Sequence, residues 1–173
     1  MNAGADKPRL FYALWPDAVT RTKLAGLQQH VSGRLMPAQN LHITLAFLGN
    51  QPRALLPLLE EVLHALPLQT MQLDIDSLAY FNKPRVAWAG PSVVPQALLN
   101  LQSDLMKALE VAQIMLKPVA GFKPHITLAR DAPPPLQQTI PPVEWKVGEI
   151  ALLESVSSVQ GPQYQVLVQR SLS

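Results

Sequence analysis

Cysteine is absent from the 173 residues, which excludes disulfides, thiolate metal sites and cysteine nucleophiles. Long apolar runs are absent too. No window reaches the roughly 18 consecutive apolar residues of a membrane span, so no membrane partner is expected. Residues Met1 to Arg9 are polar and lack the apolar stretch of a secretory signal, which makes the cytoplasm the expected location. Neither a glycine-rich dinucleotide fingerprint nor a phosphate-binding P-loop is present, and no cofactor is expected. The four histidines show no His-x-His or His-Glu-x-x-His spacing. Catalytic zinc takes three protein ligands as a rule, so no metal is expected either.

Acidic residues are missing where basic ones gather. Between Ala18 and Leu59 stand Arg21, Lys23, Arg34 and Arg53 with no acid among them. Between Val111 and Arg130 stand Lys117, Lys123 and Arg130, again without an acid. Net charge is only +2, so it is this local imbalance that would draw an anionic substrate. Hydrophobic residues make up 48% of the chain, enough to bury a core in one compact domain spanning residues 1–173 or in two small lobes sharing a cleft. Proline is abundant at 17 residues, about twice its usual share. Five prolines fall between Pro133 and Pro142; residues 131–142 are therefore read as an ordered loop, neither helix nor central strand.

Along the chain, Arg9 to Trp15 is an apolar-aromatic run closed by Pro16 and reads as a buried strand. Asp17 is placed to cap a helix reaching about Val31. Asn40 to Gly49 is a second strand, and Pro52 opens a helix to about Ala65. Met71 to Asp76 alternates apolar and polar, the pattern of a half-exposed antiparallel strand with a partner at Arg85 to Ala89. Leu98, Leu101, Leu105 and Leu109 give helical spacing from Pro95 to about Met115. Strands follow at Lys123 to Arg130, Val147 to Val156 and Tyr164 to Arg170. Few crossovers and adjoining strand pairs favour an α+β fold with antiparallel sheets over a doubly wound parallel sheet.

The informative feature is a repeat. Residues 42–46 and 125–129 both read His-Ile-Thr-Leu-Ala. On a strand, alternate side chains share a face. Ile43 and Leu45 then anchor a core while His42 and Thr44 face the other way, and Ile126 and Leu128 stand in the same relation to His125 and Thr127. Two such strands in equivalent positions of two lobes would line one cleft from opposite sides. Phosphodiester cleavage uses that equipment. One imidazole takes a proton from the attacking water and a protonated one supplies the departing oxygen. Hydroxyls and cations hold the phosphate oxygens as charge develops. A single His-x-Thr would be read as an ordinary packed pair; duplication of the whole element argues for chemistry. His30 and His64 fall in last helical turns, where the dipole favours them, and are given no role.

The same pattern bears on several flanking residues. Arg130, three residues beyond Thr127, can pair with phosphate or with Asp131. Phe11 on the opening strand can stack on a base or fill the core. Phe47 shares the parity of Ile43 and Leu45 and is read as core. Trp15, Trp88 and Trp145 are read as packing residues.

Four stretches, Arg9-Leu-Phe-Tyr-Ala-Leu, Asn40-Leu-His-Ile-Thr-Leu-Ala-Phe-Leu-Gly, Pro84-Arg-Val-Ala-Trp and Pro124-His-Ile-Thr-Leu-Ala-Arg, together resemble the two-histidine phosphoesterase superfamily. Within it they resemble the RNA 2',3'-cyclic phosphodiesterase family, historically called 2'-5' RNA ligases. The resemblance implies a bilobal fold, with two pseudo-symmetric antiparallel sheets flanked by helices around a central cleft. It further implies metal-independent opening of RNA 2',3'-cyclic phosphates to 2'-phosphate ends. RNA 3' ends or nucleoside 2',3'-cyclic phosphates would be the partners, and a monomer is expected. By the same resemblance His42 is the proton donor and His125 the proton acceptor, with Thr44 and Thr127 holding phosphate oxygens. The two copies look alike to residue-level reasoning, which leaves acid and base interchangeable. A 2'-5' phosphodiesterase or reversible 2'-5' RNA ligase is the alternative within enzymes. A non-catalytic RNA-end binding module is the alternative outside them.

Overall fold

The computed structural model describes residues 6–117 and 121–172; most of the polar N-terminal stretch, residues 1–5, lies outside them. Strand β1 (Arg9–Leu14) is buried over five of its six residues. The reason is its place between β3 (Ile43–Asn50) and β8 (Glu149–Val156), in a four-stranded sheet completed by β9 (Gln163–Ser171) in the order β3-β1-β8-β9. A strand covered on both faces needs apolar residues at every position, which is why this run does not alternate. The second sheet has the order β2-β6-β5-β4-β7, formed by β2 (Arg34–Leu35), β4 (Met71–Phe81), β5 (Val86–Gly90), β6 (Ile126–Arg130) and β7 (Thr139–Val147). All pairings are antiparallel. The α+β architecture with two antiparallel sheets is as the sequence implies.

Helix α1 (Ala18–Gly26) starts where the sequence places it, with Asp17 accepting a hydrogen bond from the Thr20 amide at 2.7 Å. It follows β1 of the first sheet yet packs on β7 of the second. Helix α3 (Gln96–Val111) makes the reverse crossing, from β5 to a seat on β3 beside α2 (Leu56–Ala65). One buried cluster therefore takes in Leu14, Ile43 and Ile150 of one sheet and Ile75, Ile126 and Leu128 of the other. Leu98, Leu101, Leu105 and Leu109 form the buried stripe of α3, and cutting Leu105 to Ala would cost about 2–5 kcal/mol. Among the described residues, no helix is long and apolar enough to cross a membrane.

Three expectations are corrected. Residues 131–142 are not all loop, because β7 begins at Thr139 and carries Pro141 and Pro142. Both prolines are tolerated for a stated reason: β7 is an edge strand, and its pairing shifts register between Ile75 and Ser77, whose partners are Val143 and Thr139. Helix α3 stops at Val111, short of Met115, because Gln113 turns left-handed at φ 60. The Ile114 amide then reaches back to Leu109 O at 3.0 Å and that of Gln113 to Glu110 O at 2.9 Å, which satisfies the final carbonyls. The third correction concerns Phe47, which is 49% exposed and not in the core.

Candidate active site

The Phe47 result explains how the site is built. Pairing of β1 with β3 runs Tyr12 to Ala46 and then Ala13 to Thr44, so Leu45 has no partner residue. In the second sheet, Ala87 pairs with Ala129 and Trp88 with Thr127, which leaves Leu128 unpaired in the same way. Each copy of the pentapeptide thus contains a β-bulge at its leucine, with two consecutive residues, Leu-Ala, turned inward. Beyond the bulge the parity reverses. Phe47 and Arg130, each five residues after its histidine, come round to the same face as the histidine and threonine. A glutamine meets the carbonyl of each bulged leucine: Gln28 donates to Leu128 O at 3.0 Å, beside the Met36 amide at 2.9 Å, and Gln102 of α3 donates to Leu45 O at 3.4 Å.

Both histidines are held alike. His42 Nδ1 lies 2.6 Å from the carbonyl of Asn40, and His125 Nδ1 lies 2.8 Å from that of Lys123. A carbonyl can only accept, so each Nδ1 carries the proton and each neutral ring keeps Nε2 as its acceptor. The Thr44 hydroxyl donates to His42 Nε2 at 2.9 Å. Aromatic rings back both imidazoles. Phe11 and Tyr164 stand 5.1 and 5.2 Å from His42. Phe81 and Trp88 stand 5.1 and 5.7 Å from His125. A cation covers the outer ring in each lobe, Arg21 over Trp15 at 4.4 Å and Lys123 over Trp88 at 5.3 Å.

His42, Thr44, His125 and Thr127 all line one cleft of about 680 Å³, together with Arg9, Arg34 and Arg130, and among the described residues no Asp or Glu lines it. Burial pushes the His42 imidazole down to about 4 against the lift from its Asn40 hydrogen bond, and the nearby charges of His125, Arg21 and Arg130 depress it further. His125 is lowered by the same causes in the same order, burial first, with Arg130 and Lys123 as the neighbouring cations. His125 is among the charges that depress His42, and both rings line the same cleft. Among the described residues, no three His, Asp or Glu side chains gather as a metal-binding group.

Arg130 lines the cleft and does not take Asp131, whose carboxylate is bound by Arg34 at 3.1 Å. Phe11 is only 3% exposed, packed between Ala13, Ala151 and Leu153 with Tyr164 edge-on at 5.0 Å. Its ring packs against the His42 imidazole at 5.1 Å and still lines the cleft. Trp145 and Trp88 are buried and Trp15 is partly so, as packing residues are.

Sequence reasoning missed Asn40, Arg21 and Tyr164. Asn40 is 2% exposed; its carbonyl orients His42 and its Nδ2 donates to Pro162 O at 2.8 Å. This ties the first motif to the β8–β9 turn. Arg21 donates to Ala38 O and Leu41 O, both at 2.9 Å, bracing the segment that leads into His42. Asn40 precedes His42 by the same two positions as Lys123 precedes His125, a correspondence visible in the sequence once the repeat is extended backwards.

Known proteins resemble this chain in sequence and in fold. The family described as the 2'-5' RNA ligase superfamily matches residues 13–158. A Thermus thermophilus protein named RNA 2',3'-cyclic phosphodiesterase is 33% identical, over 95% of this chain and 90% of its own. The crystal structure of E. coli LigT in apo form superposes with a TM-score of 0.85 at 28% identity, covering 98% of this chain and 99% of that one. The structure of LigT complexed with 3'-AMP superposes with a TM-score of 0.82 at 28% identity over the same shares.

Proposed function

The chain belongs to the 2'-5' RNA ligase superfamily, and from that membership we propose that it is a phosphoric diester hydrolase that opens RNA 2',3'-cyclic phosphate ends to 2'-phosphate ends without a metal ion. The observation that carries the reading is the pair of Nδ1-anchored histidines lining one cleft with Arg9, Arg34 and Arg130. The name of the Thermus relative and the nucleotide in the LigT complex point to the same substrate class.

In this reading His125 Nε2 takes a proton from water as its oxygen attacks phosphorus. The P–O3' bond breaks, and O3' takes a proton from His42. Water has then been added across the ring, leaving a 2'-phosphate and a free 3'-hydroxyl. Thr44, Thr127 and Arg130 hold the non-bridging oxygens as charge builds on them. His42 must be protonated to serve as donor, and burial opposes that. A phosphodiester anion beside it favours the imidazolium, so substrate binding and proton uptake are coupled. Both histidines come from one chain, so a monomer is complete for the reaction.

The test is incubation of adenosine 2',3'-cyclic phosphate in EDTA with product identification. Adenosine 2'-monophosphate formed at an undiminished rate supports the reading. A 3'-monophosphate product, or activity that returns only with added metal, overturns it.

A further inference from the structure

Strand β2 buries neither of its two residues, Arg34 and Leu35, yet it is pinned at both ends. Just after it, the Met36 amide donates to Leu128 O at 2.9 Å and Gln28 donates to Met36 O at 2.7 Å. Just before it, Gly33 turns at φ +104, so close to β6 that a Cβ there would lie 2.8 Å from Ala132 Cα and 2.9 Å from Arg130 O. Glycine alone permits both that backbone angle and that approach. Two exposed residues add little to a core, so packing does not explain the fixed seat of β2.

Register supplies a reason. Arg34 stands directly opposite Arg130, and facing residues of an antiparallel pair point to one side with Cα atoms roughly 5 Å apart. Both line the cleft. Like charges in that relation weaken a strand pair. Asp131 relieves only Arg34, accepting from its Nε at 3.2 Å and its Nη2 at 3.1 Å. The side chains of this ion pair are 64% and 75% exposed, and such a pair is worth about 0–1 kcal/mol. A phosphate can therefore take the place of the carboxylate at little cost, beside an Arg130 that already faces the cleft.

We propose that Arg34 binds the phosphate on the 5' side of the terminal nucleotide, the one that joins it to the rest of the RNA. Arg130 holds the cyclic phosphate, and Arg34, one strand over, holds the phosphate one nucleotide back. A second charge, and no base contact, then separates an RNA end from a free nucleoside cyclic phosphate. The assignment rests on the phosphodiesterase reading, but it is tested by binding alone. Titration calorimetry with adenosine 2'-monophosphate and adenosine 2',5'-bisphosphate is run on the wild type, Arg34→Gln and Arg34→Lys. The two ligands share a base and a 2'-phosphate, so any gap between them belongs to the 5'-phosphate. The wild type should bind the bisphosphate about tenfold more tightly. Arg34→Gln should bring the two ligands within about twofold by weakening the bisphosphate alone. Arg34→Lys should keep part of the gap, as a point charge without the fork. A gap that survives Arg34→Gln overturns the proposal, as does an equal loss for both ligands. A wild type that shows no gap, or binds neither ligand, overturns it too. A gap that depends on Arg34 in a protein that turns over no cyclic phosphate would sink the hydrolase reading and leave the subsite standing.

Discussion

The two lobes share a frame and differ in what they hang on it. Both have the inward isoleucine, the bulged leucine, a glutamine on that leucine's carbonyl and a carbonyl gripping Nδ1. They part at the position five residues after the histidine, where one carries Phe47 and the other Arg130. They part again in how each histidine is held. His42 is bonded to Thr44 and braced through the Arg21-bound segment, whereas His125 sits beside the more exposed Lys123. The lesson is that duplication supplies geometry, and single departures from it supply direction. A symmetric cleft would accept a substrate either way round.

The hardest blow to that comparison is removal of either imidazole. His42→Ala and His125→Ala should each reduce turnover at least about 10²-fold with modest change in nucleotide affinity. The double variant should be little worse than the poorer single one, because acid and base act in one step. Independent, multiplicative losses in steady-state kinetics would mean that the rings do not act on the same phosphorus.

The next effect is in stability. His42 is held near 4 in the folded protein, against about 6.5 for a free imidazole. The unfolded chain therefore binds a proton that the native one refuses, and stability falls as pH drops from about 6.5 towards 4, by up to about 3 kcal/mol. His125 is lowered too and contributes with the same sign. Urea melts at pH 4 and pH 7 should show a smaller loss for His42→Gln than for the wild type. Equal losses would mean that His42 is not the group responsible. In kinetics, the alkaline limb of kcat should lie at higher pH than that of kcat/KM, since bound phosphate lifts the pKa of the proton donor.

Arg130→Gln should lower kcat/KM about tenfold or more, with Arg130→Lys recovering part of the loss as a point charge without the fork. If Arg130→Gln behaves as wild type in the same assay, the asymmetry between Phe47 and Arg130 has no catalytic meaning. The smallest expected effect separates the two bulges. Gln28 donates to Met36 O at 2.7 Å as well as to Leu128 O, whereas Gln102 makes one long bond of 3.4 Å. Gln28→Leu should therefore cost about 1–2 kcal/mol in denaturant melts and Gln102→Leu less than about 1 kcal/mol.

How much could be read in advance varies by residue. The first strand, the Asp17 cap and the pairing of the strand begun at Met71 with a partner up to Ala89 follow from local chemistry, and the structure has them. The parity argument holds from His42 to Leu45 and fails at Phe47, because a bulge is a property of pairing with β1 and no residue within β3 announces it. Strand β2 was invisible for a related reason. It is two exposed residues, Arg34 and Leu35, ordered only by lying against β6. Strand β7 was hidden by Pro141 and Pro142, which are compatible with a strand only at an edge, and edges are fixed by the whole sheet.

By itself the sequence determined the candidate reactive groups: two imidazoles and two hydroxyls, each borne on an apolar anchor whose alternation settles which side faces out. Only the tertiary structure decided that these faces meet across one cleft, that Phe11 packs against the His42 ring at its wall, and that Phe47 and Arg130 both line it. The physical reason is range. Side-chain parity is set by neighbours one or two bonds of the chain away, whereas a bulge, a sheet edge and a shared cleft depend on contacts between strands dozens of residues apart, which no local pattern encodes.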